Sequence, residues 1–207
     1  MKIKNSYSKE GQDKLAKYLI GNQGFFLDIG CSNPKNGNNT FLLEELGWKG
    51  LLIDHNQKYV ELCKKERKSD AFKIDCNLFT RENWIDFLEK NNAPKIIDYM
   101  SVDVDGSNIN FIRNFPLEKY EFKIMTYETD VYRFGKSVKN AAIEILSKFN
   151  FYKILLEDGM IYEKEKIWED WWVNEKYIKC QNIYSKKIKW SKFLEKLEYS
   201  LSNIRLL

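Results

Sequence analysis

Five short apolar runs that end in acidic residues constrain the fold of this chain more than any other feature. They are GFFLDIG (24–30), KGLLIDH (49–55), IIDYMSVDVDG (96–106), FKIMTYETD (122–130) and FYKILLEDG (151–159). Their apolar residues are nearly continuous rather than alternating. This pattern is typical of strands buried on both faces, so the runs predict a parallel sheet.

Helical patterns occupy the intervals between these runs. The predicted helices cover residues 8–20, 41–46, 57–67, 81–91 and 137–149. Thr40 is a plausible N-cap of the second helix. Regular alternation of strands and helices predicts a Rossmann-like, doubly wound α/β fold.

Length and composition favour one globular domain over residues 1–207. Apolar residues make up 43% of the chain, aromatic residues 15%, and the net charge is +4. We treat residues 1–20 as a helical N-terminal segment, and residues 165–207 as an aromatic and helical extension that decorates the domain.

The cysteine pattern and the N-terminus predict a cytoplasmic location. The first ten residues lack the apolar core of a signal peptide, and no window approaches the ~20 apolar residues of a membrane span. Four cysteines without a CxxC pair, with a single histidine, favour reduced thiols over a zinc site.

Acidic residues stand at the ends of the first five predicted strands. These residues are Asp28, Asp54, Asp75, Asp103, Asp105, Glu128 and Asp130. A single such residue is often only a turn former or a helix cap. Ligands of open α/β sheets bind beyond the carboxyl ends of the strands, so several acids at that edge favour a binding site.

The first loop indicates an adenosine ligand without a pyrophosphate. Gly30 allows close approach of a ligand, and Asp54 follows 24 residues later, where a carboxylate can accept hydrogen bonds from both ribose hydroxyls. Asp75, after a short third strand (71–75), is placed to face adenine. The next glycine after Gly30 is Gly37, so the loop lacks the glycine pattern of a phosphate cradle. S-adenosylmethionine, which has no phosphate, fits this loop better than a dinucleotide.

The chain resembles the FkbM-like branch of class I S-adenosylmethionine-dependent methyltransferases. The segments that carry the resemblance are SYSKEGQDKL, FFLDIGCSNPKNGNNTFLLEELGWKGLLID, IDYMSVDVDGSN, FKIMTYETD and WEDWWVN. Three features depart from the family pattern: Pro34 in the first loop, Asp54-His55 where Glu-Pro is common, and Glu128-Thr129-Asp130 where Glu-His-Asn is common.

The resemblance implies a mostly parallel seven-stranded sheet with helices on both faces. It also implies O-methylation of a hydroxyl on a sugar, a glycan or a small natural product. The expected cofactor-binding residues are Asp28, Gly30, Cys31, Ser32, Asn39, Thr40, Asp54, His55, Asp75, Cys76 and Asp103. Gly11, Gln12 and Asp13 match the N-terminal motif of the family and are expected to close over the site.

Acids after the fourth and fifth strands predict the catalytic centre. Asp103, Asp105 and Glu128 either hold Mg²⁺ or another divalent cation, or act as base and acceptor anchor. The alternative is that Asp105 forms a turn with Gly106.

Substrate-binding candidates follow the fifth strand or lie in the C-terminal part of the chain. They are Asp130, Tyr132, Arg133 and Trp171. Trp168, Trp171 and Trp172 can stack on a sugar ring or pack in the core. His55 can pack on adenosine, act as a base, or be an ordinary surface residue.

Three other functions compete with this interpretation. A ribose 2′-O-methyltransferase that acts on RNA would share the fold and cofactor, but an acidic mouth repels a phosphodiester. A non-catalytic module that kept the fold and a nucleotide-binding oxidoreductase are the others. The predicted partner is a small-molecule or glycan acceptor, without a membrane, and the sequence leaves the oligomeric state open.

Overall fold

The computed structural model describes residues 6–149, 151–154, 156–158, 161–162, 166–178 and 188–189. Its strands are β1 (Phe25–Ile29), β2 (Lys49–Asp54), β3 (Asp70–Lys73), β4 (Ile96–Val102), β5 (Glu121–Glu128), β6 (Phe151–Ile154), β7 (Leu156–Asp158), β8 (Ile161–Tyr162), β9 (Lys166–Ile167), β10 (Glu169–Asn174) and β11 (Ile188–Lys189). Its α-helices are α1 (Gln12–Ile20), α2 (Phe41–Glu45), α3 (Gln57–Glu66), α4 (Arg81–Lys90), α5 (Asn108–Asn114), α6 (Val131–Phe134) and α7 (Ser137–Leu146).

Seven of these strands form the central sheet, in the order β3-β2-β1-β4-β5-β10-β6. The strands from β3 to β5 pair in parallel with their neighbours, whereas β10 is antiparallel to both β5 and β6. The expectation of a mostly parallel seven-stranded sheet is therefore confirmed. Outside this sheet, β7 pairs with β11 and β8 pairs with β9.

The sheet buries side chains on both faces, as the continuous apolar runs predicted. In β1, Phe26 joins the core cluster that contains residues of α1, α2 and α3, while Leu27 joins the cluster that contains residues of α4, α5 and α7. Helices therefore cover both faces, and the carboxyl ends of β1, β2, β4 and β5 meet at one edge between the two layers.

The predicted helices form, with small shifts at their ends. The first begins at Gln12 rather than Ser8, because the side chain of Asp13 binds the residues before it: Ser6 Oγ, Ser8 Oγ and the backbone amide of Tyr7. The third predicted strand ends at Lys73, so Asp75 lies in the turn that follows it.

The C-terminal part of the chain requires a correction. Residues 165–207 were expected to decorate the domain, but Glu169–Asn174 form β10, which lies inside the sheet between β5 and β6. All six residues of this strand are buried. The expected terminal helix lies outside the described residues. Among the described helices, none combines the length and the apolarity needed to cross a bilayer.

Candidate functional site

A cleft of about 240 Å³ opens at the carboxyl edge of the sheet, beside the loop between β1 and α2. Six of the predicted cofactor-binding residues line it: Asp28, Gly30, Cys31, Ser32, Asn39 and Asp103. The N-terminal segment contributes Lys9, and the loop contributes Asn33, Asn36, Gly37 and Asn38. The structure thus brings Gly30 and Asn39, from the two ends of the loop, together with Asp103, the residue after β4.

Position 30 requires glycine because the end of β4 lies very close to the first loop. Its φ is +92°, and a Cβ atom at this position would lie 1.7 Å from the backbone oxygen of Asp103. The amide of Asp103 donates to Ile29 O at 2.8 Å, which holds the two segments together. A side chain would therefore separate β1 from the residues that follow β4.

The side chain of Asn38 fixes the long loop between β1 and α2. Its Nδ2 donates to Cys31 O (2.9 Å) and to Asn33 O (3.2 Å), and its Oδ1 accepts from the amides of Thr40 (2.9 Å) and Phe41 (2.8 Å). Asn38 therefore supplies the capping contact that was expected from Thr40. Sequence reasoning missed Asn38 because its partners become apparent only once the loop has folded back.

Arg67 is a second residue that the sequence did not single out. Its guanidinium is buried and pairs with Glu44, with Nε–Oε2 at 2.9 Å. It also donates to Pro34 O, Asn38 Oδ1 and Thr40 Oγ1, each at 3.1 Å. An arginine at a helix end is usually solvated, so only the folded loop reveals that this one anchors it.

Asp28 is the buried acid at the base of the cleft. Its Oδ2 accepts from Thr40 Oγ1 at 2.7 Å. Burial raises the pKa of Asp28 to about 6, although the Thr40 hydroxyl and the positive charge of Arg67 act in the opposite direction. The carboxylate is therefore largely ionised at neutral pH and gives the cleft negative charge.

Asp54 ends β2 with its carboxylate held by two backbone amides. The amide of Ser32 donates to Oδ2 at 2.9 Å, and the amide of Asn56 donates to Oδ1 at 2.8 Å. A carboxylate accepts about four hydrogen bonds, so each oxygen retains capacity for a further donor. His55 Nδ1 lies 3.6 Å from Asp54 Oδ1, and its side chain is 69% exposed. The Asp54 side chain is itself only 5% exposed, and Asp54 is not among the described residues that line the 240 Å³ cleft. Its contact with a ribose diol therefore remains a prediction.

The residues predicted to face adenine have ordinary structural environments. Asp75 is exposed and accepts from the amide of Asn77 at 2.9 Å, which is the contact of a turn former. Cys76 is buried in the core, and burial raises the pKa of its thiol to about 12. Neither residue lies among the described residues that line the 240 Å³ cleft. Their cofactor roles remain predictions.

An acidic cluster lies beyond β4 and β5. Asp105, Glu128 and Asp130 each place one carboxylate oxygen within 4.8 Å of the others. Burial, and then the neighbouring Asp103, raise the pKa of Glu128 to about 10. The metal set predicted from the sequence was Asp103, Asp105 and Glu128. The structure puts Asp130 into the set, and Asp103 lies beside Glu128.

Two oxygens of this cluster are buried and lack a hydrogen-bond donor among the described residues: Glu128 Oε2 and Asp130 Oδ1. Tyr132 donates to Glu128 Oε1 at 2.9 Å, and Asn108 donates to Asp130 Oδ2 at 2.8 Å. Each carboxyl group is therefore oriented through one oxygen, while its other oxygen accepts no hydrogen bond from the described residues. Buried carboxylate oxygens are the ligand type that a hard divalent cation prefers, so the donor set fits such an ion.

The predicted substrate-binding residues divide into two groups. Asp130 belongs to the cluster and directly precedes α6, Tyr132 and Arg133 lie in α6, and the Arg133 guanidinium contacts Asp105. Trp171 is different, because its ring is fully buried in the core and its Nε1 donates to Glu169. The prediction that Trp171 stacks on an acceptor is therefore wrong, since neither face of the ring is exposed.

Glu169, at the start of β10, was not predicted as a site residue. It pairs in register with Glu128, and its Oε2 accepts from Gln12 Nε2 at 2.8 Å. Burial raises the pKa of Glu169 to about 8. The expected N-terminal motif is thereby attached to the sheet next to the acidic cluster.

Solved structures with similar architecture come from several organisms. A TehB-like SAM-dependent methyltransferase from Corynebacterium glutamicum is 11% identical with a TM-score of 0.53, over 83% of this chain and 90% of that chain. Human Methyltransferase-like protein 13 in complex with SAH is 11% identical with a TM-score of 0.54, over 96% and 95%. An O-methyltransferase from Bacillus cereus in complex with SAH is 14% identical with a TM-score of 0.50, over 82% of each.

At these identities the similarity shows the fold, which is that of class I SAM-dependent methyltransferases. No protein-family model matches the chain, and no curated protein matches it. Membership of the FkbM-like branch therefore remains a prediction from the sequence motifs.

Proposed function

We propose that this protein is an S-adenosylmethionine-dependent methyltransferase that methylates a hydroxyl of a sugar, a glycan or a small natural product. The observation that carries the proposal is the carboxylate of Asp54, which two backbone amides orient at the end of β2 while both oxygens retain acceptor capacity. Two ribose hydroxyls are the natural partners of such a group at this position of the fold.

The charge of the cleft supports a cationic cofactor rather than a dinucleotide. Asp28 and Asp103 both line it, and Lys9 is its one basic residue among those described. S-adenosylmethionine carries a sulfonium and an α-ammonium group, which two carboxylates attract. The same carboxylates would repel a pyrophosphate. The loop also lacks the glycine pattern of a phosphate cradle, and the helix after it, α2, has only five residues.

The acidic cluster is our proposed acceptor site. Methyl transfer is an in-line displacement, so Asp103, Asp105 and Glu128 would position the hydroxyl and receive its proton. Glu128 holds its own proton at neutral pH while its pKa stays about 10, so a base role requires a positive charge nearby.

A divalent cation would supply that charge. Asp105, Glu128 and Asp130 would hold it, with Asp103 alongside, and the ion would lower the pKa of a bound hydroxyl. These residues would then orient the acceptor oxygen, while Tyr132 and Asn108 keep the two buried carboxyl groups in place.

Apolar contacts for the acceptor come from α6 in this proposal. Tyr132 and Arg133 lie beside the cluster, and the ring of Phe134 is 52% exposed and lies against Gly106. An exposed ring next to carboxylates is suited to a sugar, which presents hydroxyls at its edge and C–H groups on its face. Phe134 thus replaces Trp171 as the candidate stacking residue.

The proposal is tested by cofactor binding and methyl transfer. Calorimetry should show S-adenosylmethionine binding and no NAD binding, and Asp54→Asn should weaken binding about tenfold or more. Asp70→Asn is the matched control, because Asp70 is an exposed residue at the opposite end of the neighbouring strand β3. Equal affinities of the two variants would contradict the Asp54 assignment.

A transfer screen then identifies the acceptor class and the cation. Tritiated methyl groups should move to glycans or small hydroxylated metabolites, and excess EDTA should reduce transfer while added Mg²⁺ restores it. Transfer to RNA with a steep loss in added salt would favour the ribose methyltransferase. Methyl transfer that EDTA does not change would show that the reaction needs no divalent cation. Cofactor binding without any methyl transfer would favour a non-catalytic module.

A further inference from the structure

Two thiols face each other beneath the first loop. Cys31 directly follows Gly30, and its Sγ lies 3.7 Å from the Sγ of Cys63 in α3. Both are free and buried, with exposed fractions of 2% and 0%. The Sγ of Cys63 also lies 3.7 Å from Ser32 O. The pair therefore bridges the loop that lines the cleft and the helix that packs behind it.

The cleft reaches one residue of this pair. Cys31 is among the residues that line it, together with its neighbours Gly30 and Ser32. On the proposed function, the cofactor occupies this cleft and covers Cys31. Approach of a small oxidant through this cleft would then depend on whether the cofactor is bound.

We propose that Cys31 and Cys63 form an oxidation site that a hydroperoxide converts to a disulfide when the cleft is empty, and that bound cofactor protects. One thiolate attacks the peroxide, which gives a sulfenic acid and releases water or the corresponding alcohol. The second thiol then displaces water from the sulfenic acid and forms the S–S bond. The two thiols lose two electrons and two protons, and the hydroperoxide accepts both.

The hydrogen bond between the two thiols assists the first step, because it raises the pKa of Cys31 and lowers that of Cys63. The pKa of Cys63 is lowered by the hydrogen bond from Cys31 and by the nearby guanidinium of Arg67, against the opposing effects of burial and of the carboxylates Asp28 and Asp54. The shared proton leaves one sulfur more nucleophilic than an isolated buried thiol.

Disulfide formation would change the shape of the cofactor loop. A disulfide is about 2.05 Å long, so the sulfurs must approach by roughly 1.7 Å from their present separation. Any part of this movement that the backbone of Cys31 supplies also displaces the adjacent Ser32, whose amide orients Asp54. Oxidation is therefore expected to weaken cofactor binding, and by reciprocity the cofactor must disfavour the disulfide by the same factor.

The test is oxidation of the full-length protein with hydrogen peroxide, with and without saturating S-adenosylhomocysteine. Peptide mass mapping after alkylation should show a bond between Cys31 and Cys63, formed at least ten times more slowly with the ligand. The oxidised protein should bind S-adenosylmethionine at least tenfold more weakly, and dithiothreitol should restore binding. In a glutathione redox buffer, that tenfold difference appears as a shift of about 30 mV in the midpoint.

Two variants provide the comparison. Cys63→Ser should show no internal bond, and its cofactor affinity should be the same before and after peroxide treatment. Cys180→Ser removes a cysteine elsewhere in the chain and should still form the bond. Absence of the 31–63 bond, or formation at one rate with and without ligand, would overturn the inference. If the reduced protein binds no S-adenosylmethionine, both the proposed function and the protective effect are wrong. The ligand-free sample still tests separately whether the bond between Cys31 and Cys63 forms.

Discussion

At the scale of single residues, Gly30 carries the tightest geometric demand of the site. The positive φ of Gly30 and the nearby oxygen of Asp103 are separate constraints, and any substitution at this position would violate both of them. Positive φ alone costs a non-glycine residue about 1–2 kcal/mol. The contact with Asp103 adds to this cost, because backbone rather than a flexible side chain must move.

Gly30→Ala is therefore expected to destabilise the protein by about 2 kcal/mol more than substitution of a glycine that has a positive φ but no atom close to the added Cβ. Gly47→Ala is the matched control, since Gly47 has φ of +97° and an added Cβ would meet no atom within 4 Å. Urea unfolding of both variants measures the difference. Equal losses would show that the β4 end does not constrain the loop.

The residues that the sequence identified differ from those it missed in one physical respect. Asp28 and Asp54 follow apolar runs, so local pattern alone placed them at strand ends. Arg67 and Glu169 act through partners that are 23 and 157 positions away, respectively. Such partners follow from the topology of the sheet and have no local signal. Trp171 was misassigned for a related reason, since aromatic residues in a core strand and in a sugar site look alike in sequence.

At the scale of elements, the loop between β1 and α2 is held from outside by α3. Arg67, the residue after α3, contacts three residues of this loop, and Glu44 in α2 accepts from the amides of Lys68 and Ser69. The loop is long enough for both Pro34 and Asn38 to contact Arg67. Loop, α2 and α3 form one structural unit.

Arg67→Met should destabilise the protein by about 3–5 kcal/mol, because it leaves the carboxylate of Glu44 buried without its counter-ion. The adjacent Lys68 pairs with Glu45 on the surface, with side chains 73% and 48% exposed. Lys68→Met should therefore cost less than about 1 kcal/mol. Urea unfolding of the two variants gives the comparison, and a loss below about 1 kcal/mol for Arg67→Met would contradict the anchoring role.

Element prediction succeeded where neighbours in sequence are neighbours in space. The strands β1 to β5 and the helices α1 to α4 and α7 follow from alternating local patterns, whereas α5 and α6 were not predicted. The position of β10 could not be predicted in this way. This strand pairs with β5, some forty residues earlier in the chain, and lies between β5 and β6 in the sheet. The short aromatic run at 169–174 gave no indication of which strands it would join.

At the scale of the whole molecule, Glu169 links the N-terminal segment, the sheet and the acidic edge. Its folded pKa of about 8 lies above the ordinary value of 4.5, so the native state holds a proton that the unfolded chain releases. The resulting stabilisation is complete below about pH 4.5 and is lost as the pH rises through about 8.

The wild-type protein should therefore lose more stability between pH 5.5 and 8.5 than Glu169→Gln, by an amount on the order of 1–3 kcal/mol. Glutamine keeps an acceptor for the Trp171 indole and removes the titration. Thermal unfolding of both proteins across this range measures the effect. Parallel curves would show that the Glu169 carboxyl does not control the pH dependence.

The order of strands in the sheet also has a consequence for the growing chain on the ribosome. Synthesis releases β6 before β10, yet β6 joins the sheet only through β10. Until β10 emerges, the outer edge of β5 has no partner strand, and β6 has no place in the sheet. The nascent protein therefore passes through a stage at which five parallel strands can assemble but the acidic edge still lacks Glu169. The site therefore cannot be completed until residues 169–174 have been synthesised.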